Sequence, residues 1–311
     1  MSNTTYNVLS LDGGGLRGVI TSVLLTRIEA VMPTFLENVD LIVGTSTGGI
    51  LALALAKGWS PARITSMYVV DGPKIFHRSP WRRLGSLFGA TKAKYDNDGL
   101  TSVLRGVFGD TRLNDLRKKV AITAFSLEHQ SMMGSNWSPK IFHNYMGEDS
   151  DGIERALDVA MYTSAAPSFF PSVNNYVDGG VFANNPSLVG LAQALDDRHI
   201  AVNSKPRRLE NIRLLSVGTG VDRFFIAGDR HDWGVAEWAS PLLNILLDGV
   251  SEIADFQCQQ LLQGNYHRLQ VTFPKGVSIS MDDVSKIDTM ISLGSCQNIQ
   301  QTLSWLLTSN W

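Results

Sequence analysis

Ser46 lies in Gly44-Thr45-Ser46-Thr47-Gly48-Gly49, a G-x-S-x-G sequence. It follows a short β-like run, Asp40 to Val43, and opens a segment with helical spacing. In that context the chain turns sharply enough for a serine hydroxyl to project as a nucleophile. A second glycine turn, Asp12-Gly13-Gly14-Gly15-Leu16-Arg17-Gly18, follows the β-like run Tyr6 to Leu11. Its free backbone N–H groups suit a developing oxyanion. A hydroxyl that attacks and donors that receive negative charge are the parts of an acyl transfer.

A serine hydroxyl also needs a base. The histidines are His77, His129, His143, His199, His231 and His267. In the usual order of an α/β hydrolase the histidine comes last, after the acid. Only His231 and His267 lie in the last third, and neither sits in a short loop directly after a clear strand. Asp178 is the better placed acid. It closes Asn175-Tyr176-Val177 and precedes Gly179-Gly180, then Ala183-Asn184-Asn185-Pro186. A tight turn at a strand end can present such a carboxylate to a site above a sheet, although Asp-Gly on its own is also a common turn signal. Gly13-x-Gly15-x-x-Gly18 fits a dinucleotide fingerprint too. The acidic residue which that fingerprint needs about 20 positions later is missing, because Val43 ends the second strand and runs into the serine turn.

Strand-like and helix-like segments alternate along the chain, which predicts an α/β fold with a largely parallel sheet. Helices are expected over Val19–Met32, Ile50–Lys57 with Gly58 as C-cap, from Ser60-Pro61 onward, Ile153–Tyr162, Pro186–Leu195 and Pro241–Leu262, and again up to Leu307. Strands are expected over Val120–Phe125, Lys140–Asn144, Tyr176–Asp178, Ile212–Val217 and His267–Phe273. Gly72 to Tyr95 reads as an irregular excursion that mixes Trp81, Arg82, Arg83, Leu84, Leu87, Phe88, Lys92 and Lys94. It fits a lid that meets an anionic lipid surface, or else a solvated loop.

The chain has 311 residues, 44% of them hydrophobic and 18% charged, with a formal net charge of −2. That composition fits a substantial core and gives no positive field for nucleic acid. Cys258 and Cys296 are too far apart for a metal knuckle and read as free buried thiols. No H-E-x-x-H or EF-hand sequence is present, and the pairs Asp196-Asp197 and Asp282-Asp283 read as helix-start or solvated charges. Met1 to Asn7 lacks the pattern of a signal peptide and no apolar run reaches membrane-spanning length. The expectation is a cytoplasmic protein that meets membranes only from the surface, with secretion lacking a classical signal as the alternative.

With its motifs taken together, the chain resembles the patatin-like phospholipase family. The resemblance rests on Asp12 to Gly18, Gly44 to Gly48 and Asp178-Gly179-Gly180. Thr163-Ser164-Ala165-Ala166-Pro167 through Pro171 and Asn184-Asn185-Pro186 add to it, and all these lie within residues 6–220. It implies one patatin-like domain over 1–311, a three-layer α/β/α fold with the serine on a nucleophile elbow, completed by a helical part over 221–311. It further implies a calcium-independent lipid acyl hydrolase without a cofactor, of phospholipase A or lysophospholipase type. Ser46 is then the nucleophile and Asp178 the general base. Gly13, Gly14 and Gly15 form the oxyanion hole, supported by Arg17, Gly18, Gly44, Gly48, Gly179 and Gly180. Asp12 is expected to fix the loop by accepting backbone N–H bonds. Arg17 either binds a lipid phosphate or makes a salt bridge to Asp40 or Glu29. Gly218-Thr219-Gly220 is a strand-end turn or part of the pocket rim. The expected partners are a phospholipid or other acyl-lipid substrate and a transient membrane surface. The alternatives are an esterase or thioesterase for soluble substrates, and a non-catalytic lipid-binding or storage protein.

Overall fold

A computed structural model describes residues 5–78, 92–131, 134–196, 198, 206–222, 232 and 234–311. Among them, seven strands form one sheet. β1 (Tyr6–Leu11) runs between β2 (Leu41–Thr45) and β6 (Ile212–Val217), parallel to both. β7 (Tyr266–Leu269) continues the parallel side beyond β6. On the other side β3 (Lys119–Ser131) lies parallel to β2 and pairs antiparallel with β4 (Gly134–His143). β3 is longer than β2. Where β2 stops, β5 (Tyr176–Asp178) takes its place along β3, running the opposite way.

Strand side chains alternate between two faces, and helices cover both. Leu9 and Leu11 of β1 and Ile42 of β2 join one core, while Val8, Leu41 and Val43 join the other. The larger core is closed by α1 (Gly18–Val31), α2 (Thr47–Lys57), α3 (Pro61–Ile75), α4 (Asp98–Phe108) and α5 (Ala156–Ser164). The one-turn α6 (Gly180–Ala183) follows β5. The smaller core is closed by α7 (Ser187–Leu195) and α8 (Val235–Leu262). α9 (Ile287–Cys296) and α10 (Gln300–Thr308) return to the larger core. This is a three-layer α/β/α arrangement, as the resemblance implies, on the mostly parallel sheet that the alternation predicts.

Several expectations need correction. α3 continues through Pro73 to Ile75, so the irregular stretch begins later than Gly72. Pro73 falls in the last turn, where it leaves the Val69 carbonyl without its helical donor and the helix ends two residues later. Trp81 to Phe88, the centre of the expected lid, lies outside the described residues, as do Met1 to Thr4, Asp197, His199 and His231. Lys94 is not available to a lipid surface. Its ammonium pairs with Asp282, a buried carboxylate that also accepts from Tyr95 and Ser280. Burial pushes the Asp282 carboxyl up, but these donors outweigh it and hold its pKa below the ordinary value. Asp282 is therefore an anchor and not a solvated charge, while Asp283 caps a short 3-10 turn through Ser285 N–H. Cys258 is buried, as expected, but Cys296 is exposed. No helix among the described residues is long and apolar enough to cross a membrane.

Candidate active site

Ser46 and Asp178 are brought together by the way β2 and β5 share one edge of β3. Thr45, the last residue of β2, pairs with Thr123, and the next residue of β3, Ala124, pairs with Asp178. The two strands approach end to end, so the residue after β2 and the last residue of β5 meet. Ser46 stands at φ 55°, ψ −124°, a conformation that costs a non-glycine residue of order 1–3 kcal/mol. Its N–H donates to Thr163 Oγ1 at 2.8 Å, which holds the turn in place. A Cβ on Gly48 would come within 2.1 Å of the Leu11 carbonyl oxygen. Only glycine there lets α2 start against the end of β1, where the other glycine turn begins.

Both reacting side chains are buried. The Ser46 hydroxyl lies close enough to the Asp178 carboxyl to lower its pKa, and that carboxyl accepts the Gly180 N–H at 2.7 Å. Burial drives the Asp178 pKa upward and outweighs these two effects, leaving it at about 7. A carboxylate is normally a poor base, and this shift moves it into the range where a general base works best. Among the described residues, no histidine side chain lines the cleft beside Ser46. His143 packs against Tyr145, and His267 bonds Thr302 and stacks on Trp305.

The oxyanion expectation is narrowed by one residue. Gly13 N–H already donates to the Asn184 carbonyl at 2.9 Å, so it is not free to serve an oxyanion. Gly14 and Gly15 N–H have no acceptor in the protein among the described residues, and both residues line the cleft with Ser46. The loop is held from several directions. Thr219 Oγ1 donates to the Gly13 carbonyl at 2.7 Å, and Leu16 N–H donates to Met281 O at 2.7 Å. Gly15 has φ 57°, and a Cβ there would lie 2.4 Å from the same Met281 oxygen. The Gly218-Thr219-Gly220 turn thus supports the loop through Thr219, a more definite part than a plain strand-end turn.

Asp12 does not cap the loop through backbone donors. Its carboxylate takes two bonds from Arg268, at 2.8 and 2.5 Å. Burial holds the Asp12 pKa above its ordinary value although the guanidinium pulls it down, and Asp12 in turn holds Arg268 firmly protonated. Arg268 also donates to Ser216 Oγ at 2.7 Å. Arg17 lies within electrostatic reach of Asp12. Of the two acids expected as its salt-bridge partners, Asp40 is met by Asn7, Lys118 and Arg207, and Glu29 shows only the effect of burial. Gly18 and Gly44 pack against Thr47 and Gly48, and Gly179 against Thr123. Sequence reasoning missed Thr163 as a support, Asn184 as the acceptor for Gly13, and Arg268 and Met281 altogether.

The cleft in front of Ser46 has a volume of about 770 Å³, its open mouth included. Its walls are almost wholly apolar, with Ile75, Phe76, Leu100, Phe169 and Phe170 opposite the serine. Such walls suit a hydrocarbon chain.

A family model described as Patatin-like phospholipase matches residues 9–189. Patatin-like protein 4 of Arabidopsis thaliana is 28% identical, with the match covering 95% of this chain and 82% of that protein. The protein teg of Priestia megaterium is 28% identical over 99% of both. A cGAMP-activated phospholipase of Pseudomonas aeruginosa is 31% identical over 95% of this chain and 86% of its own. The matched segment 9–189 contains Ser46 and Asp178 but ends before Thr219, Arg268 and Met281.

Proposed function

The chain belongs to the patatin-like phospholipase family, and from that premise we propose that it is a calcium-independent serine hydrolase of phospholipids or other acyl lipids. One observation carries the reading: a buried carboxyl with pKa about 7, beside a serine at a strained turn, both lining an apolar cleft. Ser46 Oγ attacks the ester carbonyl carbon while its proton passes to Asp178. The carbonyl oxygen becomes an oxyanion received by Gly14 and Gly15 N–H, where one donor is worth about 3–4 kcal/mol. The tetrahedral centre collapses, the alcohol leaves with the proton from Asp178, and an acyl-serine remains. Water then attacks, gives its proton to Asp178, and the free fatty acid departs as Ser46 recovers its hydrogen. The apolar walls favour this reading over an esterase for small soluble substrates.

The test is fatty-acid release from mixed phospholipid vesicles in EDTA by the wild type, Ser46→Ala and Asp178→Asn. Release by the wild type alone is the expected result, and the products identify the ester bond cut. Release that survives Asp178→Asn while Ser46→Ala abolishes it rules out Asp178 as the base. A wild type that binds vesicles without cleaving lipid favours the binding-protein alternative.

A further inference from the structure

The longest helix among the described residues carries an exposed apolar seam. On α8, Leu242, Ile245, Ile253 and Phe256 are 45%, 43%, 51% and 57% exposed. Between them is Gly249, where an added Cβ would meet nothing within 4 Å. At 100° per residue these five positions fall within an arc of about 80°, along roughly 21 Å of helix. Ala254, Cys258 and Leu262 are buried on the opposite side, and Leu247, also opposite, lines the cleft.

The seam reads the same in both directions. Leu242 lies seven residues before Gly249 and Phe256 seven after it; Ile245 lies four before and Ile253 four after. A two-fold axis through Gly249, perpendicular to the helix, therefore superimposes the seam on itself. In the resulting antiparallel crossing Leu242 meets Phe256 of a second copy, Ile245 meets Ile253, and the two Gly249 backbones touch. Glycine in mid-helix costs about 0.5–1 kcal/mol relative to alanine, and a close crossing at that point offsets the cost. We propose that α8 is a self-complementary dimer surface and that its occupant is a second copy of this chain.

Two observations favour a second copy over a lipid surface. The seam lies on the face of α8 opposite Leu247, so a bilayer gripped by it would not face the cleft. The helix also carries Glu237, Asp248, Glu252 and Asp255 with no lysine or arginine, which repels an anionic membrane. At the stated exposures the four apolar side chains present on the order of 400 Å² per copy, so a pair buries about 800 Å² from the seam alone, half a standard interface. An interface of that area lies at the low end of the range and corresponds to a weak dimer. Glu252 borders the seam, and screening its repulsion of the same residue in the second copy means that salt tightens the pair.

Sedimentation of the full chain between about 1 and 100 µM tests the surface, with a Kd in the micromolar range expected. Phe256→Glu and Ile253→Glu should each leave a monomer over that range with an unchanged circular-dichroism melt, and added NaCl should strengthen the wild-type dimer. Cysteine trapping in a Cys296→Ser background tests the register. Gly249→Cys alone should form a disulfide-linked dimer on mild oxidation, and Ile245→Cys should link to Ile253→Cys far faster than to itself. A wild type that stays monomeric at 100 µM, a dimer indifferent to both glutamate variants, or trapping without this register overturns the proposal. So does a monomer that binds neutral phosphatidylcholine vesicles and loses that binding in Phe256→Glu.

Discussion

With its pKa at about 7, the Asp178 carboxyl is divided between its two forms at neutral pH, and only the ionised form can accept the Ser46 proton. The expected pH profile of kcat/KM therefore rises with unit slope to about pH 7 and then levels, which stopped-flow or pH-stat rates on a neutral ester will show. The same shift acts on stability. The ordinary carboxyl value is 3.8 and the folded value is about 7, so between them the folded chain holds more protons than the unfolded one. Stability is fully present below pH 3.8, falls as pH rises through that window, and stays lowered above 7. The loss is on the order of 4 kcal/mol at about 1.4 per pH unit. Asp178→Asn cannot ionise, yet it keeps an oxygen to accept from Gly180. It should be inactive and more stable than the wild type in urea at pH 8, with the difference vanishing near pH 4. A variant no more stable at pH 8 would mean that the carboxyl is not raised.

At the scale of elements, the site depends on how strand ends and helix starts fit together, and the sequence disclosed this unevenly. The two glycine turns and Asp178-Gly179-Gly180 were legible because each constraint lies within a few residues of its motif. The caps of α2 and α3 were legible for the same reason, since Gly58 is left-handed and Ser60 accepts from Arg63. β3 and β4 extend well past the expected Val120–Phe125 and Lys140–Asn144 because their outer halves form an exposed hairpin, which needs no hydrophobic alternation. The partners of the oxyanion loop were illegible. Arg268 reaches Asp12 across 256 positions and Thr219 reaches Gly13 across 206, and neither has a local pattern to mark it. Arg268→Met leaves Asp12 buried without its ion-pair partner, which should cost about 3–5 kcal/mol of unfolding free energy. Adding Asp12→Leu should return most of that, while kcat stays low because the loop has lost its anchor. Equal stability of the single and double variants would show that the pair contributes no such constraint. In the other glycine turn, Gly48→Ala should lower kcat steeply, because its methyl must push α2 away from Leu11 and carry Ser46 with it.

At the scale of the whole molecule, the alternation of strands and helices predicted an α/β fold with a largely parallel sheet. The order β4-β3-β2-β1-β6-β7 and the insertion of β5 beside β3 come from pairings that no single segment encodes. The last ninety residues matched no motif, yet they complete the fold. β7 supplies Arg268, the following loop supplies Met281, and α9 and α10 bring Trp311 back to the larger core. Trp311 is 8% exposed, stacks on Phe35 at 5.7 Å, and donates from Nε1 to the Phe35 carbonyl at 3.2 Å. Its own carbonyl accepts from Asn38, so this one residue closes the turn between α1 and β2. Trp311→Ala removes a large buried ring and should cost about 3–5 kcal/mol in urea unfolding. Phe35 and Asn38 lie on the side of α1 and β2 away from their site-bearing ends. The variant should therefore keep the kcat of the wild type per folded molecule while losing its thermal margin. A drop in kcat at full occupancy of the folded state would instead tie the seating of Trp311 to the geometry at Ser46.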